Sequence, residues 1–295
     1  MFYSRVAVAA TFLAATALSS MHQPASAAPA PETSIWNAAA TIPDSWSSSA
    51  ARGDSYVGTH PSVSTRTIIG TDDRVRTPNP SSFPSRTTAF VVATDAAGQQ
   101  RSCTGFLYGP RSLATSAHCL LSESGWNSDF EIFPAVDGGA PPFGRCGWVK
   151  ASVHPQFSAD RSTRFDLGAL QLDCSVGDTI GWLRPGPSMD PLPVGEGLAS
   201  TGYPLDKYPS FMWTAHGSVT SVSEGTVDYD LDTAEGQSGS PVVANSDPTT
   251  AIAVHSSGFA TLNAGTSLVR AQSERLLRWS ETLPAADAVV PFGSS

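Results

Sequence analysis

The chain has 295 residues, a formal net charge of −9 and only 15% charged residues. That length admits one or two domains with a substantial core, and an acidic balance with no basic patch among aromatics argues against general nucleic-acid binding. Glycine and proline supply 25 and 23 residues, and no long 3.6-residue apolar period occurs before the C-terminal end, which is the composition of a loop-rich all-β protein.

The N-terminus predicts the location. Arg5 is a small positive region, Val6 to Leu18 is an apolar core, and Ala25-Ser26-Ala27 offers a small-x-small cleavage site. This pattern reads as a secretory signal over residues 1–27, too short for a stable bilayer anchor, and no other segment approaches transmembrane length. The expectation is a secreted, extracellular protein without membrane association. Residues 28–66 are rich in Ala, Ser, Thr and Pro, with Trp36 and Trp46 as their main apolar anchors. They read as a propeptide. The character changes at Arg66-Thr67, so processing there would start the mature chain at Thr67.

Short strand-like runs follow at Ala89–Thr94, Ser102–Tyr108, Ser112–Thr115, Glu131–Phe133, Trp148–Val153 and Leu167–Leu172. A Pro/Gly-rich stretch from Arg184 to Gly197 interrupts them. A second set covers Leu198–Tyr203, Phe211–Thr214, Gly217–Val222, Thr226–Leu231, Pro241–Ala244, Ala251–Val254 and Thr266–Arg270. About a dozen strands in two sets predict two antiparallel barrels, since closure removes sheet edges. The barrels are expected over 67–185 and 186–295. A C-terminal helix is expected over Ala271–Thr282, packing through Leu276, Leu277 and Trp279.

Three residues carry candidate chemistry. Gly236-Gln237-Ser238-Gly239-Ser240-Pro241 places a serine between glycines, which let the backbone turn tightly and approach a substrate. A serine hydroxyl needs a base to become a nucleophile. His118, in Thr115-Ser116-Ala117-His118-Cys119, is the base candidate, and Asp166, in Phe165-Asp166-Leu167-Gly168, is its orienter. The order His, Asp, Ser belongs to the chymotrypsin-like double barrel. An α/β-hydrolase needs glycine where Ser240 stands and a histidine last, and a subtilisin-like chain puts its aspartate first. His118 and Asp166 fall in the first half and Ser238 in the second, so the site is expected between the barrels. Each residue alone has an ordinary reading as a packed histidine, a strand-start cap or a turn serine; the three together favour a triad.

All four cysteines lie beyond the signal, in an oxidising setting. Three pairings are possible, and Cys103–Cys119 with Cys146–Cys174 is favoured. The first would tie the strand before His118 to its neighbour, a closure contributing about 3 kcal/mol. Without a Cys-x-x-Cys pair and with scattered histidines, no structural zinc site is expected. No cofactor is required. Asp72 and Asp73 are conceivable calcium ligands but read better as surface charges.

With these residues in hand, the chain resembles the bacterial glutamyl endopeptidases, a branch of the chymotrypsin-like serine proteases. The resemblance covers essentially all of 67–282. It rests on Ile68-Ile69-Gly70-Thr71-Asp72-Asp73-Arg74, Cys103-Thr104-Gly105-Phe106 and the three triad segments. It rests further on Thr201-Gly202-Tyr203-Pro204, Asp232-Thr233-Ala234-Glu235 and Ala253-Val254-His255-Ser256-Ser257-Gly258. It implies His118, Asp166 and Ser238 as triad, an oxyanion hole from the Gly236 and Ser238 N–H groups, and a specificity pocket with His255 and Thr233. An imidazole and a hydroxyl would supply the donors that a glutamate carboxylate needs on leaving water.

The implied protein is a monomeric secreted endopeptidase, cleaving proteins or peptides after Glu and less readily after Asp. Two features depart from the family. Glu235 stands where a small residue is usual and would weaken an acidic pocket, leaving broad specificity as the alternative. Gln237 replaces the aspartate that pairs with a new N-terminal amine in digestive relatives, so the amine of the mature N-terminus would instead approach the pocket. His216 reads as a surface histidine, with a partner of His255 as its other reading. The rival from another class is a catalytically silent binding protein on the same fold.

Overall fold

The computed structural model describes residues 67–187, 189–207 and 210–281, and the backbone of 289–291. The signal, the propeptide and Arg66 therefore lie outside the described residues. The architecture is two strand systems joined along a seam. The first contains β2 (Thr88–Thr94), β3 (Gln100–Gly109), β4 (Ser112–Thr115), β7 (Ser128–Pro134), β8 (Trp148–Val153) and β9 (Gly168–Leu172) in the order β7-β2-β3-β4-β9-β8. It curls into a half-barrel whose ends are joined only by the isolated Ile132–Cys146 bridge. A short β17 (Val289–Pro291) adds to the β8 edge.

The second system contains β11 (Gly197–Gly202), β12 (Trp213–Ser223), β13 (Thr226–Tyr229), β14 (Pro241–Ala244), β15 (Asp247–Gly258) and β16 (Asn263–Ser267). Its order β12-β11-β14-β15-β16-β13 returns to β12, so it closes into a six-stranded barrel. Two-residue strands β1 (Val75–Arg76) and β10 (Arg184–Pro185) pair with β12 and β15. The N-terminal segment thus lies on the second barrel although it precedes the first. Strands β5 (Leu121–Ser122) and β6 (Gly125–Trp126) form a separate hairpin after His118.

Residue alternation builds both the cores and the seam. On β2, Ala89, Val91 and Ala93 enter the first core, while Phe90 and Val92 meet Tyr203 and Met212 of the second barrel. On β3 and β4, Leu107 and Leu113 face the first core, and Phe106, Tyr108 and Ala114 face the seam. The seam explains why β2 is buried on both faces.

Two short helices, α1 (Pro155–Asp160) and α2 (Gly177–Ile180), lie in loops. Helix α3 (Arg270–Glu281) closes the described chain, and its Leu276 and Trp279 enter the seam against Phe106, Leu167 and Val254. Leu277, expected in the packing face, is 48% exposed. One residue turns a helix by about 100°, so 276 and 279 share a face that 277 leaves. The runs expected at Phe211–Thr214 and Gly217–Val222 join in one continuous β12 that starts at Trp213, because Gly217 pairs with Leu198 rather than ending the strand.

The favoured disulfides are both present, Cys103–Cys119 and Cys146–Cys174. The second spans 28 residues and ties the loop after β9 to the loop before β8. Replacing both Cys146 and Cys174 by alanine should cost about 3.5 kcal/mol through the freed unfolded chain. Denaturant unfolding without reductant checks this; an unchanged midpoint would show that the bridge adds nothing.

Candidate active site

Two loops of the half-barrel bring His118 and Asp166 together. After β4 the chain enters the 3-10 turn Ala117–Cys119, and before β9 it makes another at Thr163–Phe165. Asp166 ends the latter, and its carboxylate is nearly fully buried. One oxygen lies 2.6 Å from His118 Nδ1 and the other accepts the His118 N–H at 2.9 Å. The carboxylate therefore fixes both the ring and its main chain. Burial opposes charge on the imidazole, but the Asp166 charge and its hydrogen bond outweigh it and raise the pKa above the usual histidine value. The ring keeps an exposed edge.

Ser238 comes from the loop before β14. Gly236 has φ +91° and Gly239 has φ +90°, and a Cβ on Gly239 would lie 2.0 Å from the Thr104 carbonyl oxygen. Only glycine fits both the angle and the space. The loop is held across the seam by β3: the Thr104 N–H donates to the Ser238 carbonyl at 2.8 Å, and the Thr104 hydroxyl to the Gly236 carbonyl at 2.8 Å. Cys119 Sγ lies 3.8 Å from the Ser238 carbonyl oxygen, which sets Ser238 against the residue next to His118. No hydrogen bond joins the Ser238 hydroxyl to His118; such catalytic contacts commonly tighten only with substrate bound. Among the described residues, the Gly236 and Ser238 N–H groups donate to no protein acceptor.

His255 lies on β15, whose main chain is tied to the same loop. The Gly239 N–H donates to the His255 carbonyl at 2.8 Å, and the His255 N–H to the Ser240 carbonyl at 2.9 Å. Its ring is fully buried, and Nδ1 lies 2.7 Å from the Tyr229 hydroxyl. Burial first, and the nearby His118 charge second, push the ring pKa down to about 3 against a carbonyl at Ala264 that favours the proton. Nε2 has no hydrogen-bond partner, and neither has the buried Thr233 hydroxyl.

Tyr229 is a site residue that sequence reasoning missed. The inward alternation of β13 was its signal, since a buried tyrosine hydroxyl needs a partner. His216 is exposed on β12, so the tyrosine holds the place considered for it. Glu235 is half-buried, and its carbonyl accepts the Leu205 N–H at 2.7 Å. Asp72, read as a surface charge, accepts from Arg74 and Lys207.

Residues 103–252 match the family described as the trypsin-like peptidase domain. This chain belongs to that family. It is 33% identical over 72% of its length to a Bacillus subtilis protein called extracellular metalloprotease, covering 69% of that protein. It is 30% identical over 74% of its length to the glutamyl endopeptidase of Bacillus licheniformis, covering 71% of it. A solved Glu endopeptidase shares the fold, with a TM-score of 0.67 and 23% identity over 73% of this chain and 100% of that one.

Within the trypsin-like family the chain is a serine endopeptidase of the bacterial glutamyl endopeptidase branch, and its substrates are proteins or peptides. Metal-ligand spacing occurs among the described residues only around Cys103 with Cys119 and Cys146 with Cys174. Both are disulfides, whose sulfurs offer no thiolate. No helix among the described residues is long and apolar enough to cross a membrane.

The raised His118 pKa gives a signed expectation. With His118 as the base it is the neutral ring that acts, so a raised pKa would make activity fall sooner on acidification. The acid limb of kcat/KM should have its midpoint above 6.5, the ordinary histidine value. Asp166→Asn should move that limb to lower pH and reduce kcat about 10⁴-fold. A limb that stays in place in the variant would show that the carboxylate does not set it.

Proposed function

We propose that this protein is a secreted serine endopeptidase that hydrolyses peptide bonds after Glu, and less readily after Asp. Ser238 attacks the scissile carbonyl while His118 takes its proton, and Asp166 fixes the imidazole tautomer and stabilises the imidazolium. The Gly236 and Ser238 N–H groups receive the oxyanion. His118 then protonates the leaving amine, and water hydrolyses the acyl-enzyme. The support is the 2.6 Å His118–Asp166 contact and the two unspent N–H groups beside the nucleophile.

One observation carries the specificity: His255 Nε2 is a buried polar atom without a partner, on the strand bonded to the nucleophile loop. Such a group is costly unless a ligand completes it. The Tyr229 phenol, whose own pKa burial drives far up, stays protonated and donates to Nδ1. That places the ring proton on Nε2, as a neutral donor for the substrate carboxylate. The Thr233 hydroxyl is a second donor awaiting a partner.

Maturation follows the same logic. Signal removal after Ala27 and a cut at Arg66-Thr67 would leave Thr67 as the first residue, with the half-barrel drawn from within 67–185 and the closed barrel and its helix from 186–295, onto which the short strands β1 and β10 also pair. Thr67 exchanges main-chain hydrogen bonds with Thr233 at 3.1 Å each way, and its hydroxyl donates to the Phe259 carbonyl at 2.7 Å. The new amine would then sit beside Thr233. N-terminal sequencing of the active secreted enzyme should read Thr67; an active form starting near Ala28 would remove the propeptide from this account.

Glutamate and glutamine side chains have nearly the same shape, so the pocket separates them by charge and donors alone. Hydrogen bonds to charged groups contribute about 1.5–3 kcal/mol each, so kcat/KM should favour Glu peptides over matched Gln peptides by at least about tenfold. His255→Ala should collapse that preference while fluorophosphonate labelling of Ser238 persists. Thr233→Val and Tyr229→Phe should weaken it less. A wild type that cleaves both peptides equally would favour the broad-specificity alternative, and absence of labelling would favour a silent binding protein.

A further inference from the structure

The loop that carries Ser238 is gripped from outside by the segment 67–74. Arg74 is fully buried in its side chain, between Asp72 at 2.9 Å and Asp206 at 2.5 Å. Its Nη1 also donates to Gln237 Oε1 at 3.2 Å. That same oxygen accepts the Ala234 N–H at 2.9 Å. One carbonyl oxygen thus links the guanidinium to the main chain two residues before Gly236. The buried Asp232 carboxylate accepts the Ile69 N–H at 2.6 Å and the Asp73 N–H at 3.1 Å, and Thr67 pairs with Thr233.

We propose that Arg74 is a positioning residue that acts through Gln237 to hold the 233–238 loop with the Gly236 and Ser238 N–H groups turned out for the oxyanion. The inference rests on Ser238 as nucleophile. A guanidinium carries its charge at every working pH, and a neutral glutamine creates no buried anion that must await a counter-charge. The brace is part of the chain itself. The oxyanion geometry is therefore independent of a liberated amine, and the Thr67 amine is left to serve specificity alone.

The test uses the mature enzyme, with competent sites counted by fluorophosphonate labelling of Ser238. Gln237→Ala leaves Arg74 paired with both aspartates. Per labelled site it should lower kcat about ten- to a hundredfold with KM changed less than about threefold, as expected when an oxyanion donor is misplaced rather than deleted. Affinity for a peptide aldehyde, whose hemiacetal oxygen occupies the oxyanion position, should fall in proportion. Affinity for a product peptide ending in Glu should not. Gln237→Glu, which keeps an acceptor for Arg74, should restore most of the loss. Arg74→Lys keeps a cation between the aspartates and gives the same reading should Gln237→Ala be recovered unfolded. Combined with Arg74→Lys, the Gln237→Ala loss should not grow. Unchanged kcat in Gln237→Ala, additive losses, or aldehyde and product affinities falling together would overturn the brace. A wild type unlabelled at Ser238 would overturn the nucleophile itself.

Discussion

The site depends on one joint, the hydrogen bonds that Thr104 makes across the seam. β3 pairs with β4 only from Phe106 onward, so the outer edge of Thr104 is left for another partner. It gives its N–H to the Ser238 carbonyl and its hydroxyl to the Gly236 carbonyl, and that hydroxyl accepts the Tyr203 N–H at 3.1 Å. Its own carbonyl accepts the Thr115 hydroxyl at 2.7 Å, three residues before His118. A single fully buried residue thereby fixes the distance between the serine loop and the histidine turn. His118 and Asp166 come from the half-barrel and Ser238 from the closed barrel, so their alignment is a property of the interface between them. The apolar seam under α3 and around Tyr203 supplies the burial that keeps those hydrogen bonds out of water.

Buried polar groups are normally paired, and several of the exceptions among the described residues belong to the Ser238 loop or to β15 bonded to it. Thr233, Gln237, Ser240, His255 and Ser257 each hold a side-chain atom without a partner, and all lie in or beside the nucleophile loop. Others, such as Ser102 Oγ, Asn127 Oδ1 and Gln272 Oε1, belong to other segments, so it is the place of this group and not its existence that bears on the site. Thr67 lies beside the same loop, held by the Thr233 main chain, the Phe259 carbonyl and Asn263 Nδ2.

The longer strands were legible as short apolar runs bounded by turn residues, and Gly236 and Gly239 marked a tight turn around Ser238. His118, Asp166 and Ser238 were singled out by order and local motif, and the structure brings His118 and Asp166 into contact. What escaped was set by tertiary contact. β1 is two residues long and exists because β12 offers it an edge. Leu277 looked like a packing residue because it stands beside Leu276, whereas the helix phase decides. Tyr229 and Arg74 are ordinary strand and turn residues in one dimension. They acquire meaning only from partners separated by 26 residues for His255 and 163 for Gln237.

Charge sets the last constraint. A formal net charge of −9 repels acidic peptides at long range, so any preference for them must arise after desolvation, within contact distance. A permanently cationic pocket would ease capture, but burying an unpaired charge in the empty enzyme is expensive. A neutral imidazole oriented by Tyr229 avoids that cost. The same burial that lowers its pKa makes the ring sensitive to an arriving carboxylate, because an opposite charge in a low-dielectric site raises a histidine pKa strongly. If His255 contacts the substrate as proposed, the donor would be weak in the free enzyme and would strengthen as the substrate's charge enters. Glutamine, with no charge to offer, leaves the ring as it found it. On this reading, discrimination lies in the coupling between substrate and imidazole rather than in a fixed positive site.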